Sequence, residues 1–357
     1  MSSPRRMRSF AEQTLHYFDR PHAGRPSTRL TGPAAWHGSR LQSRSNEWRE
    51  RLSEEELMEI ERALDEIERT ETPIEEIDPA RFPLPGLAAR IDGWRRQLAA
   101  GRGFVLVSGL PVEAWGEARS ALAFWGLGQH LGLPGAQNAA NDLLGHVRDT
   151  GEQIDSPNVR LYRTASDIGF HCDAADVVGL LCLRTAAEGG ESRIASSVAI
   201  WNALFEEDPE RAALLFEPFA LDRRDEHPEG ARGWLEIPPC RFDASGRLRT
   251  FHHGEYFRSV ARLPEIGPLP PDRIELLDRY DAWAGSPELR LDMALEPGDM
   301  QLLSNHTVVH ARTAYRDHPE PERRRHLLRL WLSLDEGAET GALRPPTAAA
   351  SLRSDRA

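Results

Sequence analysis

Lysine is absent from this 357-residue chain, and all 44 basic residues are arginine. Such an absence reads as a bias of the whole composition, so a single arginine carries less functional weight than usual. Cysteine is scarce, limited to Cys172, Cys182 and Cys240. Three cysteines at wide spacing argue against a disulfide framework and favour a reducing, cytoplasmic compartment. No apolar run approaches the roughly 18 residues of a membrane helix, and no apolar segment near the N-terminus suggests a secretory signal. Net positive charge is missing too. A formal charge of −12 argues against a nucleic-acid partner, which usually leaves a basic footprint.

What remains is an ordinary globular composition, 40% hydrophobic, long enough for one or two domains. Residues 1–50 are rich in Arg and Ser and read as a partly ordered arm. Ser53-x-x-Glu56 is a capping box, and Leu57, Ile60, Leu64 and Ile67 follow at helical spacing. Further helices are expected at 86–101 and 117–132, with a short buried strand at 103–111 between them. From about residue 160 the texture changes to short strands: 177–184, 191–197, 234–242, 247–252, 290–294, 300–312 and 325–334. Helices interrupt at 198–216 and 273–285, and the segment 337–357 reads as a flexible tail. The expected architecture is mainly β with covering helices, a barrel or jelly roll forming one domain over 51–336. Its helical part would be 51–130 and its strand core 160–336.

The stretch GFHCDAADVVGLLCLR places His171 and Asp173 two residues apart, just before an apolar run. In extended chain, positions i and i+2 point to one side, so the pair can converge on one ion. A third ligand must come from elsewhere, and MQLLSNHTVVHART offers His306 and His310. The β-branched run Thr307-Val308-Val309 favours a strand, on which residues four apart lie about 13 Å from each other. Bonds of roughly 2.1 Å cannot bridge that span, so only one of the two joins the pair.

In RHLLRLWLSL, Leu328, Leu330, Leu332 and Leu334 share a dry face, while Arg325 and Arg329 share the other. Two arginines on one wall of a cavity suit carboxylates through bidentate pairing. They follow His310 by fifteen and nineteen residues. Asp167 and Asp176, flanking the ligands, read as turn caps. Of the adjacent His252 and His253, at most one can face inward. The charged loop 222–233 reads as a lid or a solvated surface loop.

These motifs, together with GFVLVSGLP, LGQHLGLPGAQ and AAEGGESRIAS, resemble the taurine dioxygenase-like (TauD/TfdA) family over about residues 101–334. That resemblance implies a double-stranded β-helix holding Fe(II) through His171, Asp173 and His310, an arrangement suited to non-haem iron with open positions. It further implies 2-oxoglutarate and O2 as cosubstrates, with Arg325 on the distal carboxylate and Ser192, in GGES, supplying a hydroxyl where the family carries threonine. The implied reaction is hydroxylation of an unactivated C–H bond of a small molecule, with succinate and CO2 released. An aspartate at 173 argues against halogenation; desaturation and cyclisation remain open, as does a homo-oligomer. Arg329 would meet an anionic group of the substrate, or else form a structural ion pair with Asp299 or Glu296. The competing reading is a non-catalytic, cupin-like metal-binding protein, for which a 2-oxoglutarate clamp would have no use.

Overall fold

The protein is described here from a computed structural model covering residues 6–20, 22, 24–152, 161–227, 230–243 and 245–334. The segment 337–357, read from sequence as a tail, lies outside the described residues.

Two β-sheets form the centre. The larger runs in the order Arg49–Arg51, Phe104–Ser108, Met300–Ser304, Val177–Arg184, His326–Ser333 and Leu133–Gly135, with Leu144–Val147 also paired to His326–Ser333. The smaller runs Arg290–Met293, Ser192–Ser196, Val308–Arg312, Ile168–His171. Neighbours within both are antiparallel except the Arg49–Arg51 and Phe104–Ser108 pair. Phe104, Val178, Ile194, Leu303, Val308 and Trp331 pack as one apolar cluster between the sheets, giving the jelly roll its interior.

Helices cover the outer faces. Glu54–Arg69 begins at the Ser53–Glu56 capping box, and Glu54, Glu55 and Glu56 put negative charge at its electropositive end. Its buried stripe of Ile60, Leu64 and Ile67 packs with Leu328, Leu330 and Leu332 of the His326–Ser333 strand. Val112–Leu131, kinked at Gly116, crosses the same face. A Cβ at Gly128 would lie 2.6 Å from a Leu330 methyl, so only glycine lets this helix come so close. On the far side, Ser197–Glu207 and Pro271–Gly285 bury Trp201, Leu276 and Tyr280 behind the smaller sheet.

Two elements differ from the sequence reading. The segment 300–312 is two strands, Met300–Ser304 in the larger sheet and Val308–Arg312 in the smaller. Asn305, His306 and Thr307 make the turn between them, because the Asn305 backbone amide donates to the Asp176 carbonyl and draws the chain away from the first sheet. Near the N-terminus, Ser9 caps a helix, Phe10–Phe18, whose Gln13 and Tyr17 are fully buried. Tyr17 Oη donates to the carbonyls of Thr250 and Asn305, each at 2.9 Å, which fastens the helix to the barrel mouth.

Candidate active site

His171 ends its strand, and His310 lies directly across from it in antiparallel register. Side chains opposite each other on paired strands stand on one face within roughly 5.5 Å, so pairing alone brings the two imidazoles together. Their ring centroids are 4.2 Å apart. Asp173 follows in a turn that Asn305 clamps: the Asp173 amide donates to Asn305 Oδ1 at 3.0 Å, and Asn305 Nδ2 donates to the Ala175 carbonyl at 3.0 Å. Ligand atoms of His171, Asp173 and His310 then all lie within 4.8 Å of one another.

This donor set suits a divalent transition ion. Asp173 Oδ2 is buried without a hydrogen-bond partner, and so is His310 Nδ1. A buried carboxylate oxygen lacking a donor is costly unless a cation faces it. Burial pushes the His310 imidazole down to about 3 and lowers His171 as well, which keeps both rings neutral with lone pairs for a metal. Burial would by itself raise the Asp173 carboxyl, but the opposing effects, led by the Arg329 guanidinium, outweigh it and hold the group ionised.

His306 is elsewhere. Its Nε2 lies 2.8 Å from Asp176 Oδ1 on the far side of the turn. The sequence argument separated His306 from His310 by distance along one strand; the separation in fact comes from a turn between two sheets. Asp176 is no turn cap. It is 1% exposed and gathers Arg20, His16, His306 and the Leu334 amide onto one carboxylate. Of the adjacent histidines, His253 lines the cavity and stacks on Tyr256, while His252 turns away to Asp281 at 2.7 Å.

Beyond the histidine pair, two further arginines, Arg312 and Arg325, line the cavity. Arg312, two residues past His310 on the same strand face, faces Ser192 across the register. Arg312 Nη2 donates to the carbonyls of Thr164 and Ser166, while its Nε and Nη1 are buried without partners. Arg325 Nη1 is likewise buried and unpartnered. Both guanidiniums lie over the Tyr315 ring, at 4.8 and 5.1 Å. Burial, reinforced by Arg325, lowers Arg312 to about 10. Gly190 makes room: its φ of +79° is one that residues with a side chain rarely adopt, and a Cβ there would sit 2.9 Å from Arg325 Nε. Ser192 Oγ is buried against the Gln301 amide at 3.0 Å.

Arg329 approaches the metal-ligand side. Its Nη1 is 3.9 Å from Asp173 Oδ1, its Nε donates to Gln137 Oε1 at 2.7 Å, and its guanidinium lies between Tyr162 and Trp331. Asp299, considered as a structural partner for it, is taken by Arg49 at 2.6 Å. Residues outside the candidate ligand set also shape the site: Gln137 grips Arg329, Asn305 sets the Asp173 turn and Tyr315 floors the arginine pair. His171, Asp173, His310, Arg312, Arg325, Arg329 and Gln137 border one cavity of about 720 Å³.

A jelly roll with two histidines and a carboxylate at its mouth, and buried arginines beside them, defines the class of iron(II)- and 2-oxoglutarate-dependent oxygenases. The comparisons narrow that class. Residues 67–331 match the model of the taurine catabolism dioxygenase TauD, TfdA family, and the chain belongs to it. The chain is 32% identical to the FR-33289 synthase of Streptomyces rubellomurinus over 321 residues, 87% of this chain and 92% of that protein. It is 27% identical to the taurine hydroxylase-like protein SAT17 of Stachybotrys chartarum, over 89% of this chain and 83% of that one. A uridine-5'-phosphate dioxygenase of an Amycolatopsis species matches at 31% over 42% of this chain and 52% of its own. Among solved structures, an asparagine oxygenase in complex with Fe(II), hydroxyasparagine and succinate superposes with a TM-score of 0.64 at 17% identity, over 80% of this chain and 93% of that one. The non-haem iron oxygenase OrfP in complex with Fe and α-ketoglutaric acid gives 0.59 at 15% identity, over 80% and 94%. The chain is thus a dioxygenase that uses Fe(II), 2-oxoglutarate and O2 on a small molecule. Among the described residues no helix is long and apolar enough to cross a membrane.

Proposed function

We propose that the chain hydroxylates a C–H bond of a small anionic molecule, with His171, Asp173 and His310 holding the iron. The observation that carries this reading is the convergence of those three ligand atoms within 4.8 Å beside an orphaned carboxylate oxygen. Bound iron, 2-oxoglutarate and O2 supply the oxidising chemistry, and succinate and CO2 leave. The protein's own part is placement. Arg325 accepts the distal carboxylate of 2-oxoglutarate through its free Nη1, and the Ser192 hydroxyl lies on the same side of the cavity. Arg329, packed against the Tyr162 and Trp331 rings and fixed at Nε by Gln137, presents its outer nitrogens to an anionic group of the substrate. A C–H bond near that anion then faces the histidine pair, and the apolar cavity wall excludes bulk water. Relatives named for taurine and for uridine-5'-phosphate support an anionic substrate.

The test is an anaerobic titration. Adding Fe(II) and then 2-oxoglutarate should produce a weak visible charge-transfer band, and oxygen should then release succinate, faster when an anionic substrate is present. Zinc-supported turnover without oxygen would refute the reading. Arg329→Ala should uncouple the reaction: succinate still forms slowly, product does not, and 2-oxoglutarate affinity barely changes. A variant that melts normally and stays fully coupled would remove Arg329 from substrate binding.

A further inference from the structure

The matched family region starts at residue 67, yet one wall of the cavity is built from residues 9–18. On the helix Phe10–Phe18 the side chains split into two sets. Gln13, Tyr17 and Arg20 point to the barrel and are fixed there: Ser333 Oγ donates to Gln13 Oε1 at 2.8 Å, Tyr17 Oη holds the carbonyls of Thr250 and Asn305, and Arg20 meets Asp176. Phe10, Thr14, Leu15 and Phe18 face the cavity instead. The anchoring is polar and bears on the same turn that carries Asp173, so the helix has a fixed position relative to the metal ligands.

Aromatic contacts lead outward from those ligands toward it. Arg329, beside Asp173, lies 5.3 Å from the Trp331 ring; Trp331 lies 6.4 Å from Phe10; Phe18 packs edge-on against Phe251 at 4.9 Å. On the opposite side His171 is followed by His253 at 5.3 Å, which stacks on Tyr256. Leu15, at the outer end, is 50% exposed, one of two large apolar side chains so exposed among the described residues. Beyond Arg329, then, the trough is apolar and aromatic along the N-terminal helix, through Phe10, Leu15, Phe18 and Phe251, while the charged segment 222–227 and Glu255 border it elsewhere. A cavity of about 720 Å³ exceeds what a compact amino acid or taurine-sized molecule needs alongside 2-oxoglutarate, and falls in the range that encloses drug-sized ligands.

We infer that the substrate has two parts: an anionic head at Arg329 and a hydrophobic body, alkyl or aryl, seated against the N-terminal helix. This inference rests on the anion role of Arg329 given above and adds the body and its wall. The helix sets specificity through the length and shape of what it covers.

The probe is a series of n-alkanesulfonates from ethane to octane, titrated calorimetrically into the iron(II)–2-oxoglutarate protein under argon. Burying each added methylene should tighten binding about three- to fourfold until the trough is full. Leu15→Asp, at a half-exposed position that folding tolerates, should weaken octanesulfonate at least tenfold and leave ethanesulfonate unchanged. Phe10→Ser should flatten the dependence on chain length in the same way. Arg329→Gln should weaken the whole series by one common factor and keep its slope. An affinity that does not depend on chain length in the wild-type protein overturns the inference, as does a slope that survives both helix variants. The charge-transfer band of the same samples reports separately on the oxygenase reading: its absence defeats that reading, while the slope decides this one in either case.

Discussion

Single residues carry unequal weight at this site, and burial sorts them. His171 and His310 are held by strand pairing and Asp173 by Asn305, so substitutions at these three positions should leave the scaffold standing. Asp173→Ala and His310→Ala should each abolish iron binding and oxygenation. His306→Ala should keep the metal, since its ring serves Asp176. One Fe(II) per wild-type chain, counted by metal analysis, is the reference; full activity in both ligand variants would defeat the assignment. Arg325 is a different case, a buried cation with a free donor. Losing a charge-assisted contact of this kind costs about 2–5 kcal/mol. Arg325→Ala should therefore weaken 2-oxoglutarate by more than about tenfold with iron binding intact. If the cosubstrate dependence stays the same in that variant, the role passes to Arg312, whose Nε and Nη1 are equally unpartnered.

Among elements, the His326–Ser333 strand links stability to function. Its alternation puts Leu328, Leu330 and Leu332 under the helices and Leu327, Arg329 and Trp331 on the cavity side. A packing defect on the dry face is thus one residue away from Arg329 on the cavity side. Leu330→Ala opens space beneath Gly128 and should destabilise the fold by about 2–5 kcal/mol. Gly128→Val, which forces a side chain into the Leu330 methyl, should cost about 1–3 kcal/mol. Urea unfolding of each variant measures both effects. Losses below half a kcal/mol would mean that this interface is loosely packed. The strand pattern was legible because a two-sided strand with one dry face alternates strictly. The 300–312 segment misread as one strand because its β-branched run continues past the turn, and nothing local marks Asn305 as bound to Asp176.

For the molecule as a whole, buried imidazoles make stability depend on acid. Burial pushes His306 and His310 down to about 3. An unfolded histidine takes up a proton below about 6.5. In the folded chain these two do not until near 3, so their contribution is complete above about pH 6.5 and declines as pH falls from there toward 3. Asp176 adds a second, more acidic limit. Burial opposes its ionisation, but Arg20 together with hydrogen bonds from His16 and His306 holds it well below the usual range, and its contribution is lost only as pH drops below the ordinary carboxylate value. The urea midpoint of metal-free protein should fall between pH 7 and pH 5, and the fall should be shallower in His306→Gln. A midpoint that is level or rising toward pH 5 would show that these rings are not held neutral.

Period and spacing were enough to read the covering helices, the dry strand face and the candidate ligands, because each depends on residues close in sequence. His-x-Asp, a later histidine and two arginines four apart are local patterns with local geometry. The partners across the chain were decided by tertiary structure alone. Asp176 looked like a turn residue and is a buried junction of four groups, because Arg20, His16, His306 and Leu334 reach it from distant segments. Arg329 looked as ready to pair with Asp299 as to face the cavity, until Arg49 took the one and Gln137 with Asp173 oriented the other. The first residues, read as an arm from their composition, fold into a cavity wall because Tyr17 and Gln13 find buried partners more than two hundred residues away. A carboxylate or a guanidinium carries no mark of its partner in its own sequence neighbourhood; only folding brings the two charges to within 4 Å.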